Sequence, residues 1–366
     1  MNPNFDLSAL ALKAIAPSNE ILYDDVGLPS IMVRIPKMTY AELGLGTSTD
    51  VFPAFIVNGT VVNEIYISKY QNMVYDGRAY SLPAREPQTN INYDTAISRC
   101  TAKGAGWHLM TRMEWALLAL WCKKNGTMPK GNNNYGKDTS ESIYQAIPCT
   151  FENDGKRQKV LTGTGPLSWS HDGTLSGIWD LNGNVWEWVG GLRTVYGELQ
   201  VLVNNNAADS SHSQAASSTE WKAVDGSTGE FITPNGSGTT TGSMKLRWRT
   251  SPNRYEWTTD PTSDGTTGYQ QCAFESITAD STIGDAGKLF LQAIALLKSD
   301  NTSGAYLGDW FYADSSSGAS ERCFRCGGDW SNGAHAGVFS ADGLYARSRS
   351  STNIGFRSAF VKLPTA

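Results

Sequence analysis

The sequence predicts an α+β protein. Helix-like and strand-like stretches alternate irregularly, without the regular βαβ rhythm of a parallel sheet. At 366 residues and 40% hydrophobic, the chain is long and apolar enough for a sizeable core. Twelve Trp and 37 Gly point to a loop-rich fold held by large aromatic anchors.

Leu7 to Ala16 is apolar apart from Lys13, and Ala14-Ile15-Ala16 has the form of a signal-cleavage site. No basic segment precedes it, so it reads as a short amphipathic helix rather than a signal peptide. Residues 1–28 are taken as an N-terminal extension and 29–366 as the folded domain. Short apolar runs between 29 and 70, such as Ser30–Ile35 and Glu64–Ile67, read as strands punctuated by Gly and Pro. Tyr93 to Lys103 reads as a helix stopped by Gly104 and Gly106. Thr111-Arg112-Met113-Glu114 is a capping box. The apolar run Trp115–Trp121 behind it predicts a helix buried on most faces, ended at Asn125-Gly126. From 204 to 268 the composition turns to Ser, Thr, Gly and Asn, which predicts a long surface insertion or mobile region. Asp285 to Lys298 regains helical spacing, with Leu289, Phe290, Ala293, Leu296 and Leu297 on one face. Trp310 to Tyr312 reads as strand.

The bulk properties exclude several classes. Net charge is −5 and no Lys/Arg cluster occurs, so no nucleic-acid partner is expected. No apolar run is long enough to span a membrane. The six cysteines are too dispersed for a disulfide scaffold. Cys323-Phe324-Arg325-Cys326 lacks the second ligand pair of a zinc site, and on a strand its two thiols would face opposite ways. They are read as buried thiols. The histidines His108, His171, His212 and His335 are scattered, and no catalytic triad, hydrolase elbow, zincin helix or phosphate loop is present. His108, just before a helix, reads as structural.

Three segments in order carry a resemblance. They are Gly106-Trp107-His108-Leu109-Met110-Thr111 with Glu114-Trp115; Asp180-Leu181-Asn182-Gly183-Asn184-Val185-Trp186-Glu187-Trp188; and Gly327-Gly328-Asp329-Trp330 through Ala346-Arg347-Ser348 to Gly355-Phe356-Arg357. Together they resemble the formylglycine-generating-enzyme (sulfatase-modifying factor) branch of the C-type-lectin fold, from about Ile31 to the C-terminus apart from the insertion. The residue chemistry agrees. Asn182-Gly183-Asn184 suits a tight turn that delivers Trp186 and Trp188 to a core. Gly327-Gly328 permits close backbone approach, and Arg357 is placed to pin the last strand.

That resemblance implies a structural Ca²⁺ site at Asn182, Gly183, Val185 and Glu187, whose oxygens suit a hard cation; the alternative is that Glu187 caps a loop. No cofactor is otherwise required. The catalytic members carry redox cysteines downstream of the Gly-Gly-x-Trp turn, and this sequence has no cysteine after Cys326. An oxidase activity therefore does not carry over. The motifs of calcium-dependent sugar binding are also missing.

Residues 327–357 further resemble the variable region of diversity-generating retroelement target proteins. In those, adenine-directed mutagenesis randomises chosen codons, usually Asn codons. The positions this implies are Asp329, Ser331, Asn332, His335, Ser340, Asp342, Leu344, Tyr345, Arg349, Ser351 and Asn353, all reachable from AAC. Framework types such as Trp330, Gly337, Phe339 and Gly355 lie between them. Such a surface would resemble a paratope, an aromatic anchor among adaptable polar groups. The expected function is hypervariable binding of a protein or glycan ligand on a host or target cell, with display on a phage tail tip or, alternatively, as a bacterial adhesin. A formylglycine-type oxidase and a purely structural particle protein are the other readings. Oligomeric state and ligand identity are not encoded legibly.

Overall fold

The computed structural model describes residues 7–260 and 268–363. It begins with the expected helix, Leu7–Ile15, which buries none of its side chains. A five-stranded antiparallel sheet follows, in the order Asn19–Tyr23, Pro29–Pro36, Glu64–Ser68, Ser358–Phe360, Trp107–Leu109. The N-terminal strands and the last strand thus share one sheet. This corrects the 1–28 extension. Asn19–Tyr23 is hydrogen-bonded to Pro29–Pro36, and Asn19 is fully buried, donating to Ser176 O.

The capping box forms as predicted. The Thr111 hydroxyl accepts the Glu114 amide while Glu114 accepts the Thr111 amide. The Arg112–Asn125 helix buries ten side chains and is closed by Gly126 at φ +68°. It is tied to the second sheet by polar contacts. Trp115 Nε1 donates to Val338 O at 2.8 Å, and the buried Arg112 donates to Ile294 O, Ala295 O and Cys326 Sγ.

The second sheet runs Tyr269–Ala273, Trp310–Asp314, Gly337–Tyr345, Arg322–Gly327, Trp186–Val195, Glu198–Val201, Lys245–Thr250, Asn253–Thr258, Thr278–Ala279, with Ile354–Phe356 parallel to the start of Trp186–Val195. The 204–268 reading is corrected here. Lys245–Thr250 and Asn253–Thr258 are central strands, and Trp221, Val224, Met244, Leu246, Tyr255 and Trp257 are buried. Residues 261–267 lie outside the described residues. Polar composition hid strands whose apolar residues are few but large.

The Asp285–Ala293 helix stops earlier than the spacing predicts. Ala295 takes φ +51°, and Leu289 is exposed while Leu291 fills the core. Trp310–Asp314 is the expected strand. Cys323 and Cys326 are buried free thiols on opposite faces of Arg322–Gly327. Cys323 belongs to the smaller core cluster that holds Tyr93 and Trp188, and Cys326 to the main core with Trp115 and Phe324. Burial pushes the Cys326 thiol up to about 11 and Cys323 further.

Candidate functional site: a cavity on the variable face

Gly327 and Gly328, at φ +93° and +83°, end Arg322–Gly327 and start the loop to Gly337–Tyr345. A Cβ at Gly328 would stand 2.5 Å from the Ala336 Cβ, so the two loop ends meet only through a glycine. The strands pair antiparallel with Arg325 opposite Asp342, while Asp342 faces Tyr312 across the parallel pairing with Trp310–Asp314. One row across the sheet therefore holds Tyr312, Asp342 and Arg325.

Above that row lies a cavity of about 390 Å³. Six of the eleven sequence-predicted positions line it: Asp329, Asn332, Asp342, Leu344, Tyr345 and Asn353. Framework residues complete it: Trp186, Tyr269, Tyr312, Asp314 and Arg325. Arg325 Nε and Nη2 donate to Asp342 Oδ2 at 3.1 and 2.7 Å. The same guanidinium sits 4.9 Å from the Trp186 ring and 4.8 Å from Tyr345. Trp186 meets Tyr312 edge-on at 5.9 Å. Burial, then the Tyr269, Asp342 and Asp329 charges, push the Tyr312 hydroxyl up, so it stays a donor at neutral pH.

Asp329 ties two loops together. Its Oδ1 accepts the Ser331 amide and hydroxyl, and its Oδ2 accepts Asn353 Nδ2 at 2.6 Å. Two further predicted positions make ring contacts, of which only that of Arg349 is with a residue of the cavity wall. His335 stacks on Trp310 at 3.9 Å, and Arg349 lies over Tyr345 at 4.8 Å. Ser351 is half-buried and accepts the Asn90 amide through its carbonyl. Exposure divides the set. Ser331, Asn332, His335, Leu344, Tyr345, Arg349, Ser351 and Asn353 are half-buried or exposed, while Asp329 and Asp342 form the cavity's depth at 3% exposure. Ser340 corrects the prediction. It is fully buried, with its hydroxyl unpaired, so it is a core position rather than a surface one.

The sequence reading missed Trp186, Tyr312, Arg325, Tyr269 and Asp314. Trp186 was visible only as a core anchor, and Arg325 only as the spacer of a Cys pair. Their convergence depends on sheet order, which no local pattern announces.

The expected calcium ligands come together in part. Gly183 O, Val185 O and Glu187 Oε1 converge, joined by Asp180 O, but they converge on Gln71 Nε2 at 3.0–3.4 Å. Arg357 already neutralises Glu187, at 2.6 and 2.7 Å, and also donates to Ser68 O and Trp179 O. Asn182 turns away, to Asn133 and Pro129 O. The donor set therefore does not fit Ca²⁺ as it stands: an amide and a guanidinium hold the place of the cation, and Glu187 is an ion-pair partner. Among the described residues no group of three or more His, Cys, Asp or Glu is placed to hold a metal. His108 is a helix-entry partner, with its ring nitrogens 2.9 Å from Gly106 O and Glu114 Oε1.

An α+β fold with an N- and C-terminal strand in one sheet, a buried Trp-Glu-Trp strand and a Gly-Gly-anchored hairpin defines a C-type-lectin-like domain of the formylglycine-generating type. The model of the Sulfatase-modifying factor enzyme 1-like domain matches residues 40–232, more than half of the chain, and the chain belongs to that family. The match includes the first two motifs and ends before the Gly327 hairpin. No curated protein matches. Among solved structures, PvdO from Pseudomonas aeruginosa is 18% identical over 47% of this chain and 74% of its own, at TM-score 0.25. Treponema denticola variable protein 1 is 11% identical over 94% and 99%, at TM-score 0.31. The Major Tropism Determinant U1 variant is 10% identical over 90% and 62%, at TM-score 0.29. Likeness this slight assigns no ligand or activity.

Proposed function

We propose that this chain is a hypervariable binding protein whose ligand seats in the 390 Å³ cavity. The observation that carries the reading is the cavity's composition: exchangeable-type residues Asn332, Asp342, Leu344, Tyr345 and Asn353 stand around a fixed floor of Trp186, Tyr312 and Arg325. Rings with adaptable polar neighbours are the chemistry of paratopes, and the ligand is a protein or glycan on a host or target cell. Catalysis is not part of this reading, because the sequence has no cysteine beyond Cys326 to perform family-type oxidation. Display on a phage tail tip or a cell surface suits it, and modest single-site affinity would be raised by multivalency. No helix among the described residues is long and apolar enough to cross a membrane.

Sibling alleles test the proposal. Substitutions should concentrate at the eight half-buried or exposed positions and at Asp329 and Asp342, spare Ser340 and the framework, and accompany a near-copy of the segment encoding 327–357 beside a reverse-transcriptase gene. Substitutions scattered evenly over the chain would defeat it.

A further inference from the structure

A second cavity, of about 520 Å³, lies on the other side of the loop that carries His335. Its walls include the apolar Met128, Leu307, Ala334 and Val338. At its edge sits Asp309, a carboxyl group only 2% exposed. Asp309 Oδ2 accepts the Phe339 amide at 2.7 Å, with the Ser340 amide close by. Among the described residues no Lys, Arg or His forms an ion pair with it, and no side chain donates to it. The chain makes room for this group: a Cβ on Gly337 would stand 2.0 Å from Asp309 Oδ1. The other charged residues of the lining are Lys130, half-exposed, and Asp138, whose oxygens are engaged by Gly131, Asn133 and Ser140.

A buried carboxylate with no cationic partner is costly beside an apolar wall, and a cation entering the cavity would offset that cost. We propose that this cavity is a second binding site, independent of the variable face, for an alkylammonium group: the ammonium pairs with Asp309 and the alkyl stem lies along Met128, Leu307 and Val338. The group is a small amine or a lysine side chain of a polypeptide. Burial holds the Asp309 carboxyl well above its ordinary value, against the Phe339 and Ser340 amides.

Calorimetric titration of the full chain with n-butylammonium reads the binding. Nα-acetyl-lysine amide is the second probe and butyrate the control. The proposal expects saturable butylammonium binding and no butyrate binding. Binding by both cations points to a lysine side chain as the source, and by butylammonium alone to a small amine. Asp309→Asn should weaken binding by at least about tenfold. Ala334→Trp, at an exposed position on the cavity mouth, should do the same with an unchanged melting temperature. Absence of butylammonium binding, equal binding of butyrate, or undiminished binding in the folded Asp309→Asn or Ala334→Trp protein would overturn it.

Discussion

At the scale of residues, the buried ion pair between Glu187 and Arg357 decides how the domain closes. Both side chains are 1% exposed or less, and Arg357 also satisfies carbonyls from two other segments. Removing one partner leaves an unpaired buried charge, so Arg357→Met should lose about 3–5 kcal/mol in denaturant unfolding. Asp180 sets a pH dependence. Burial pushes its carboxyl from 3.8 to about 6, against the Gly163 amide and Arg357, and its Oδ1 has no partner. The folded state thus binds more protons than the unfolded state between pH 3.8 and about 6, so this group's stabilisation is lost as pH rises through that window. Asp180→Asn, tolerated at φ +61°, should flatten that slope and raise stability at pH 7 by up to about 3 kcal/mol. Chemical denaturation at pH 4 and pH 7 checks both. Ser340→Ala removes an orphaned buried hydroxyl and should be neutral or stabilising by about 1 kcal/mol.

At the scale of elements, the hairpin from Arg322 to Tyr345 is the part most dependent on backbone geometry. Gly328→Ala would force a Cβ into Ala336 at positive φ, and should cost about 1–3 kcal/mol while loosening the Asp329–Asn353 tie. Thermal melting reads the first effect, and amide exchange of residues 329–336 the second. Local signals were legible wherever an element carries its own punctuation. The Thr111 capping box, the Gly126 stop and the Gly327-Gly328 corner were all visible. They failed where burial is set by partners far along the chain. Lys245–Thr250 and Asn253–Thr258 hide among Ser, Thr and Gly, yet Leu246, Tyr255 and Trp257 bury them. Ser340 looks like its exchangeable neighbours, and only the packing of Gly337–Tyr345 between two strands places it inside.

At the scale of the molecule, the larger sheet of a two-sheet scaffold carries a cavity whose rim and floor have different duties. The fixed floor, Trp186, Tyr312 and Arg325, was illegible because it is assembled across three strands, with Trp186 far in sequence from the other two. The rim was legible because its residue types alternate with small framework residues. The measurement that bears most directly on this division is a displayed library, randomised at Ser331, Asn332, His335, Leu344, Tyr345, Arg349, Ser351 and Asn353 and sorted by protease resistance. The account predicts that most members remain folded, whereas a matched library at Trp186, Arg325, Ser340 and Arg357 is largely digested. Equal loss of fold in the two libraries would contradict it.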